Sequence, residues 1–269
     1  YIKKMSSSLR GKRVVIFGGN GFIGSHLVNY LCNESCQIKI VSRQDRRNKK
    51  FFFGSEPGQV VFEKIQYNEH DIEQVIEGYD IIFNLIGILY ESKNSSFNFV
   101  HNKIPTMIGK CARKKKVRSL IHISALNVNK ITNSNYAYSK NLGEAGIKKH
   151  FPEAIIVRPG VVFGKGDNFT NFFSNMSKFS PFLPLIGTPK IDLSKNLISI
   201  FNFKKRVKFQ PLYVGDLVKF LIKISSKKNK IFDLTGPSIL SFNEIFGLIL
   251  NFKKRKRLYI PVPFFEAKI

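Results

Sequence analysis

The chain has 269 residues, 43% of them hydrophobic, which suffices for one sizeable core or for a core domain with a smaller appendage. Its 44 Lys and Arg outnumber 18 Asp and Glu, giving a net charge of +26. No apolar run approaches the roughly 18 residues that a membrane-spanning helix needs. The three cysteines, Cys32, Cys36 and Cys111, lack the neighbouring His or Cys pair that would complete a metal site, so no metal is expected; their odd number argues against a disulfide framework.

Short apolar runs alternate with helical patterns. RVVIF (13–17) reads as a buried strand. Ile23, Leu27 and Leu31 then fall at i, i+4 and i+8, one face of a helix. IKIV (38–41) and VVFEKIQ (60–66) are strands, and DIEQVIEG (71–78) is a helix with Asp71 as N-cap and Gly78 at its end. DIIFNLIG (80–87) is strand, 96–115 helix, SLIHIS (119–124) strand, 136–149 helix and AIIVRPG (154–160) strand. Strands alternating with helices imply βαβ units, and continuous apolar strands fit a parallel sheet covered on both faces. The fold class expected is α/β, a Rossmann-type doubly wound parallel sheet over residues 1–165, with a smaller C-terminal lobe over 166–269.

In that second half, FTNFFSNMSKF (169–179) reads as a helix, SPFLPLIGTP (180–189) as loop, and a lysine- and asparagine-bearing stretch runs to 210. PLYVGDLVKFLIKI (211–224) is a strand end entering a helix, KIFDLTG (230–236) a strand, and SFNEIFGLILNF (241–252) a helix with Ser241 and Glu244 at capping-box spacing. The first residue, Tyr1, points to a removed leader or to missing upstream residues, and PVPFFEAKI at the other end reads as the start of an element.

GGNGFIG (18–24) lies between the first strand and the first helix. Glycines there let backbone approach a pyrophosphate, and the helix start supplies N–H donors and the positive dipole end. The spacing is G-x-x-G-x-x-G, so the bland alternative is a tight turn without a ligand; the strand–turn–helix context favours a dinucleotide, with Gly18, Asn20 and Gly21 around its phosphates. The second strand ends in Ser42 and Arg43, followed by Arg46 and Arg47, where an acidic residue would bond the ribose of NAD. A guanidinium suits a 2′-phosphate, so NADP is expected over NAD unless these arginines are only a solvated basic run.

Ser124 ends a strand, and Tyr136 and Lys140 stand at i and i+4 on the following helix. A lysine ammonium near a phenol lowers its pKa and readies it to exchange a proton with a carbonyl or hydroxyl, with Ser124 bonding the same oxygen.

GGNGFIG, NLIG (84–87), Ser124, YAYSK (136–140) and RPGVVFG (158–164) together resemble the extended or atypical short-chain dehydrogenase/reductase superfamily. Within it, NLIGILYE (84–91), HISALNVN (122–129), YAYSKNLGE (136–144) and HFPEAIIVRPGVVFGKGDNFTNFF (150–173) resemble the nucleotide-binding accessory subunits of respiratory complex I. The likeness covers about residues 11–190 well and the remainder more thinly. It implies a tightly held NADPH and a structural rather than catalytic part in the NADH:quinone oxidoreductase, at the junction of its peripheral arm with the membrane. It matches Gly18, Gly21, Phe22 and Ile23 to the phosphate turn, Arg43 to the 2′-phosphate, Asp71 and Ile72 to the adenine side, and Leu85, Ile86 and Gly87 to the ribose side. Ser124, Tyr136 and Lys140 match the superfamily's active-site positions, and Pro159 the nicotinamide side.

Two readings of Tyr136 and Lys140 follow. One is a free NADP-dependent short-chain reductase or a nucleotide-sugar epimerase or dehydratase. The other keeps Lys140 on the nicotinamide ribose to hold the cofactor without turnover, which the resemblance favours. The basic runs 43–50, 113–118, 204–208 and 253–257 are a solvated face of a lysine-rich chain or suit acidic complex I neighbours or anionic lipid, and no motif directs them to nucleic acid. FKKRKRLYIPVPFF (252–265) pairs bases with apolar residues as an interfacial anchor does, or as a buried helix end and packed tail do. The resemblance places the chain on the matrix side of the mitochondrial inner membrane, or on the cytoplasmic face of a bacterial inner membrane.

Overall fold

A computed structural model describes residues 9–43, 57–131, 133–186 and 208–262. It divides into two compact units, the first comprising residues 1–159 and 214–234, the second 160–213 and 235–269.

The first unit opens with β1 (Arg13–Phe17), α1 (Phe22–Leu31), β2 (Gln37–Ser42), β3 (Val60–Lys64), α2 (Glu69–Ile76) and β4 (Ile81–Asn84). A π-helical turn, Asn98–Lys103, leads into α3 (Ile104–Lys114), followed by β5 (Ser119–Ile123), α4 (Asn135–His150) and β6 (Ile155–Pro159). The second unit takes over with β7 (Val162–Phe163), α5 (Asn168–Phe179), β8 (Phe182–Ile186), β9 (Lys208–Phe209) and β10 (Leu212–Tyr213). The chain then returns to the first unit for α6 (Val214–Ile224) and β11 (Lys230–Leu234), and ends in the second with β12 (Leu240–Ser241), α7 (Phe242–Phe252) and β13 (Leu258–Val262).

Seven strands form one sheet in the order β11-β6-β5-β4-β1-β2-β3, every pair parallel. Parallel neighbours need crossovers, and the helices supply them. Successive side chains of a strand point to opposite faces, so both must be covered. Val15 and Phe17 of β1 join Ile72 and Ile76 of α2, Ile104 and Ile108 of α3 and Ile147 of α4 in one buried cluster. Val14 and Ile16, equally buried, point to the other face, and there α1 packs on α6. The strand order reverses between β1 and β4, which opens a crevice outside their carboxyl ends.

The expected boundary near 165 misses this return of the chain. Residues 214–234 belong to the first unit because β11 pairs with β6 along five residues, Lys230 opposite Ile155 through Leu234 opposite Pro159. A strand that edges the sheet from a distant part of the sequence carries no local mark of its partner.

The second unit is built around aromatic side chains. Phe173 of α5 and Phe242 and Phe246 of α7 are buried together, with Phe169, Phe209 and Tyr259 against them. The capping box of α7 is present: Ser241 accepts from the Glu244 amide at 3.4 Å, and the Glu244 carboxylate accepts from the Ser241 amide at 2.7 Å. The stretch read as loop at 180–189 instead contains β8, which pairs in parallel with β13 over five residues. The C-terminal segment thus enters a strand, and residues beyond 262 lie outside those described.

Among the described residues no helix is long and apolar enough to cross a membrane, and no group of three His, Cys, Asp or Glu is placed to hold a metal. The three cysteines, Cys32, Cys36 and Cys111, are buried.

Candidate functional site

The crevice at the strand reversal holds a cavity of about 250 Å³. The turn after β1 contributes Gly18, Asn20 and Gly21, the end of β2 contributes Ser42 and Arg43, and the turn after β4 contributes Leu85, Ile86 and Gly87. These eight sequence-picked residues come together from three segments that are far apart in the chain. Val41, Tyr67, Val100 and Ile104 complete the wall and were not expected there.

The turn has the build of an anion cradle. Gly18 has φ +79° and turns the chain off β1. A Cβ on Gly24 would lie 2.2 Å from the Gly18 carbonyl oxygen, so only glycine lets α1 start this close under the turn. Gly21 is the N-cap of α1, without a side-chain cap and with no acidic residue in the first turn. The first-turn amides, those of Phe22 and Ile23 among them, therefore have no intrahelical acceptor and face the positive end of the helix dipole. Both side-chain polar atoms of Asn20, Oδ1 and Nδ2, are buried without a hydrogen-bond partner among the described residues. Orphaned polar atoms beside uncapped amides fit a phosphate-bearing ligand. Arg43 donates to Ser95 Oγ at 2.9 Å at the cavity mouth. Burial pushes the Tyr67 phenol up to about 12, against the opposing pull of the Arg43 charge. Arg46 and Arg47 lie outside the described residues.

Other expected residues stand apart from this cavity. Ile72 is wholly buried in the core, and Asp71 Oδ2 accepts from the Gln66 amide at 2.9 Å. Asp71 is not the N-cap of α2 either: that cap is Asn68, whose Oδ1 accepts from the Asp71 amide at 2.8 Å. The helix begins two residues earlier than its apolar pattern, because Glu69 and His70 are polar first-turn residues that periodicity does not detect. Pro159 ends β6, where its carbonyl accepts from the Leu126 amide at 3.0 Å.

Ser124, Tyr136 and Lys140 belong to a polar cluster beyond Gly87. A Cβ on Gly87 would stand 3.2 Å from Lys140 Nζ, which links the cluster to the cavity's edge. Lys140 is 3% exposed and donates from Nζ to the Ile123 carbonyl at 3.2 Å. Burial brings its pKa down to about 8, with Glu144 holding it up. Ser124 Oγ is buried and unpartnered among the described residues. The phenol of Tyr136 departs from expectation: burial raises its pKa, and no lowering by Lys140 offsets this. Its ring meets His101 and Phe97 edge-on, with centroids 5.2 and 5.8 Å away.

Two histidines missed at the level of sequence complete the cluster. His101 lies on the π-helical turn, fully buried. Its Nε2 accepts from the Ile88 amide at 3.1 Å, which assigns the proton to Nδ1, 3.0 Å from Ser139 Oγ; Ser139 donates onward to the Tyr136 carbonyl at 2.8 Å. Burial, aided by the Lys140 charge, brings the His101 pKa down to about 3. His122, on β5, has Nδ1 3.1 Å from Asn84 Nδ2, while Asn84 Oδ1 accepts from the Ile86 amide at 3.3 Å. That leaves His122 Nε2 with the proton, buried and without a hydrogen-bond partner among the described residues. Burial and then Lys140 hold His122 far below its ordinary range, so both histidines are neutral beside one buried lysine. Glu144, one turn beyond Lys140, takes a bidentate pair from Arg158, at 2.9 Å from Nε and 2.6 Å from Nη2. This buried pair ties α4 to β6 and so fixes the helix that carries Tyr136 and Lys140.

A parallel sheet of this order with a glycine turn at its switch point defines a dinucleotide-binding class of protein. The chain belongs to the NAD dependent epimerase/dehydratase family, which it matches over residues 14–234. It is similar to the mitochondrial NADH dehydrogenase (ubiquinone) 1 alpha subcomplex subunit 9 of Mus musculus, 30% identical over 264 residues, 96% of this chain and 66% of that protein. It is similar also to the mitochondrial NADH-ubiquinone oxidoreductase 40 kDa subunit of Neurospora crassa, 26% identical over 261 residues, 96% of this chain and 64% of that one. The chain thus spans about two thirds of the length of these curated relatives. In fold it is similar to the dTDP-glucose 4,6-dehydratase DesIV of Streptomyces venezuelae, solved with NAD and TYD bound, with a TM-score of 0.71, 16% identity, and 93% of this chain and 84% of that one covered.

Proposed function

We propose that the protein is an NADPH-holding accessory subunit of a respiratory NADH:quinone oxidoreductase, stabilising the complex where its peripheral arm meets the membrane. The observation that carries this reading is the similarity to NADH dehydrogenase subunits along 96% of the chain. The first-turn amides of α1 and the orphaned Asn20 side chain would hold the pyrophosphate, with Leu85, Ile86 and Gly87 along the ribose. Arg43 with Ser42 would meet the 2′-phosphate, which favours NADPH over NADH. Val41 and Tyr67 replace Asp71 and Ile72 as the wall on the adenine side. When bound, the nucleotide would supply a hydride-bearing nicotinamide, and the geometry beside it favours keeping over reacting. Lys140 is fastened to a backbone carbonyl, and the Tyr136 phenol is raised by burial rather than activated.

Partners of this reading are other complex I subunits and anionic lipid, on the matrix face of the mitochondrial inner membrane. In the second unit Phe179 is 90% and Phe252 84% exposed, with Lys253, Lys254 and Lys256 following. Apolar rings flanked by snorkelling lysines suit an acidic bilayer surface. The test is a native gel of mildly solubilised membranes, with nucleotide extracted from the band that holds this chain. Co-migration with NADH dehydrogenase activity and release of NADPH are expected. A free soluble species that turns over a small carbonyl, or a band that yields only NADH, would overturn the reading.

A further inference from the structure

A second cavity lies at the opposite end of the sheet. All seven strands run parallel, so their amino ends share one edge; β1 alone, at five residues, sets this edge about 15 Å from the Gly18 turn. The cavity has a volume of about 230 Å³, and its walls include Lys12, Asp80, Arg118, Ser119, Ser226 and Lys228. Lys12 precedes β1, Asp80 precedes β4, Arg118 precedes β5 and Ser119 opens it, and Ser226 and Lys228 come from the turn between α6 and β11. Four segments distant in sequence thus place three cations and three serines, Ser119, Ser225 and Ser226, around one hollow.

Two features distinguish it from a solvated basic edge. The wall's carboxylate is engaged: Asp80 Oδ2 accepts from the Arg13 amide at 3.0 Å, while its carbonyl accepts from the amides of Arg118 and Ser119. Asp80 thereby clips the strand starts together, and none of Lys12, Arg118 and Lys228 has an ion pair among the described residues. Ser119 is 7% exposed and its Oγ is buried with no hydrogen-bond partner among the described residues. A buried hydroxyl without a partner, in the wall of a cationic hollow, marks a place for a missing acceptor.

We propose that this cavity is a binding site for a phosphate-class anion. Ser119 donates its buried hydroxyl to one phosphate oxygen, Arg118 meets others through its planar fork, and Lys12 and Lys228 balance the remaining charge. The same chemistry serves inorganic phosphate or the phosphomonoester headgroup of phosphatidic acid. The site does not depend on the nucleotide reading, since it lies on the other edge of the sheet.

The test uses the purified full chain with two probes: inorganic phosphate, followed by calorimetry, and phosphatidylcholine vesicles with and without phosphatidic acid, followed by co-flotation. Arg118→Gln/Lys228→Gln should weaken binding at least about tenfold, and Ser119→Ala about tenfold, a charge-assisted hydrogen bond being the strong kind. Lys219→Gln/Lys223→Gln on α6 removes equal charge outside the cavity and should change binding less than about twofold. Far-UV circular dichroism and thermal midpoint report that each variant folds. Competition between phosphate and phosphatidic acid vesicles identifies the headgroup as a source; phosphate binding without vesicle competition identifies the free anion. Absence of binding to both probes, unchanged binding in Ser119→Ala, or an equal loss in the α6 pair would overturn the site.

Discussion

Lys140→Met tests whether the buried lysine is kept for a ligand at the expense of the empty fold. The substitution preserves length and apolar stem and removes the ammonium. Burial brings the lysine from 10.5 to about 8, which corresponds to about 3 kcal/mol against the charged form at neutral pH. The single hydrogen bond from Nζ to the Ile123 carbonyl returns about 1 kcal/mol. Nucleotide-free Lys140→Met should therefore be about 2 kcal/mol more stable than the wild type at pH 7. The folded pKa lies below the unfolded one, so the unfolded wild type binds more protons between about pH 8 and 10.5, and its stability rises with pH across that window. The variant's advantage should shrink there and end about 1 kcal/mol in favour of the wild type, which keeps its hydrogen bond. Cys36 and Cys111, raised by burial to about 12 and about 11, act in the opposite sense in both proteins. They stay protonated when folded and ionise when unfolded, so they take stability away as pH rises above about 9. The readout is accordingly the difference between paired urea titrations at each pH. With saturating NADPH the order at pH 7 should reverse if, as proposed, the lysine helps to hold the nucleotide, since methionine cannot donate a hydrogen bond to it. A nucleotide-free variant less stable than the wild type at pH 7, with a difference that does not vary with pH, would refute the reasoning.

Arg43→Glu should weaken NADPH by more than about tenfold while NADH changes less than about threefold, measured by titration calorimetry; equal losses would remove the 2′-phosphate role. Glu144→Ala leaves Arg158 charged and buried without its bidentate partner, and should lower stability by about 3–5 kcal/mol in denaturant titration. The double variant Glu144→Ala/Arg158→Met should recover most of that, and a single-variant loss under about 1 kcal/mol would contradict the anchoring role. Tyr136→Phe keeps the ring contacts to Phe97 and His101 and should leave both native-gel migration and bound NADPH unchanged; loss of either would make the hydroxyl structural.

Where site residues lie on continuous sequence, the sequence names them. Gly18 to Gly21, Ser42 to Arg43 and Leu85 to Gly87 each follow a buried strand, and a strand's end is where a doubly wound sheet presents its ligand crevice. Residues that reach the site only by packing were invisible. Tyr67 follows β3, and Val100 and Ile104 lie on or after the π-helical turn, with nothing local to mark them. His122 lies inside HISALNVN and His101 inside the stretch expected to be a helix at 96–115, but their significance is burial beside Lys140, which spacing does not encode. The Glu144–Arg158 pair crosses from α4 to β6 and has no helical or strand period to announce it.

The sequence by itself determined the parallel α/β class, the glycine turn, the capping box of α7 and the i, i+4 placement of Tyr136 and Lys140. Each depends on periodicity or steric rules acting within a few residues. Only the tertiary structure decided that β11 closes the sheet, that β8 is a strand, and that the Tyr136 phenol is raised rather than lowered. Strand pairing and desolvation are set by neighbours far away in the chain. The same distinction covers the hollow beneath Ser119: no local pattern links Lys12, Asp80, Arg118 and Lys228, which only the converging strand and turn starts bring to one edge of the sheet.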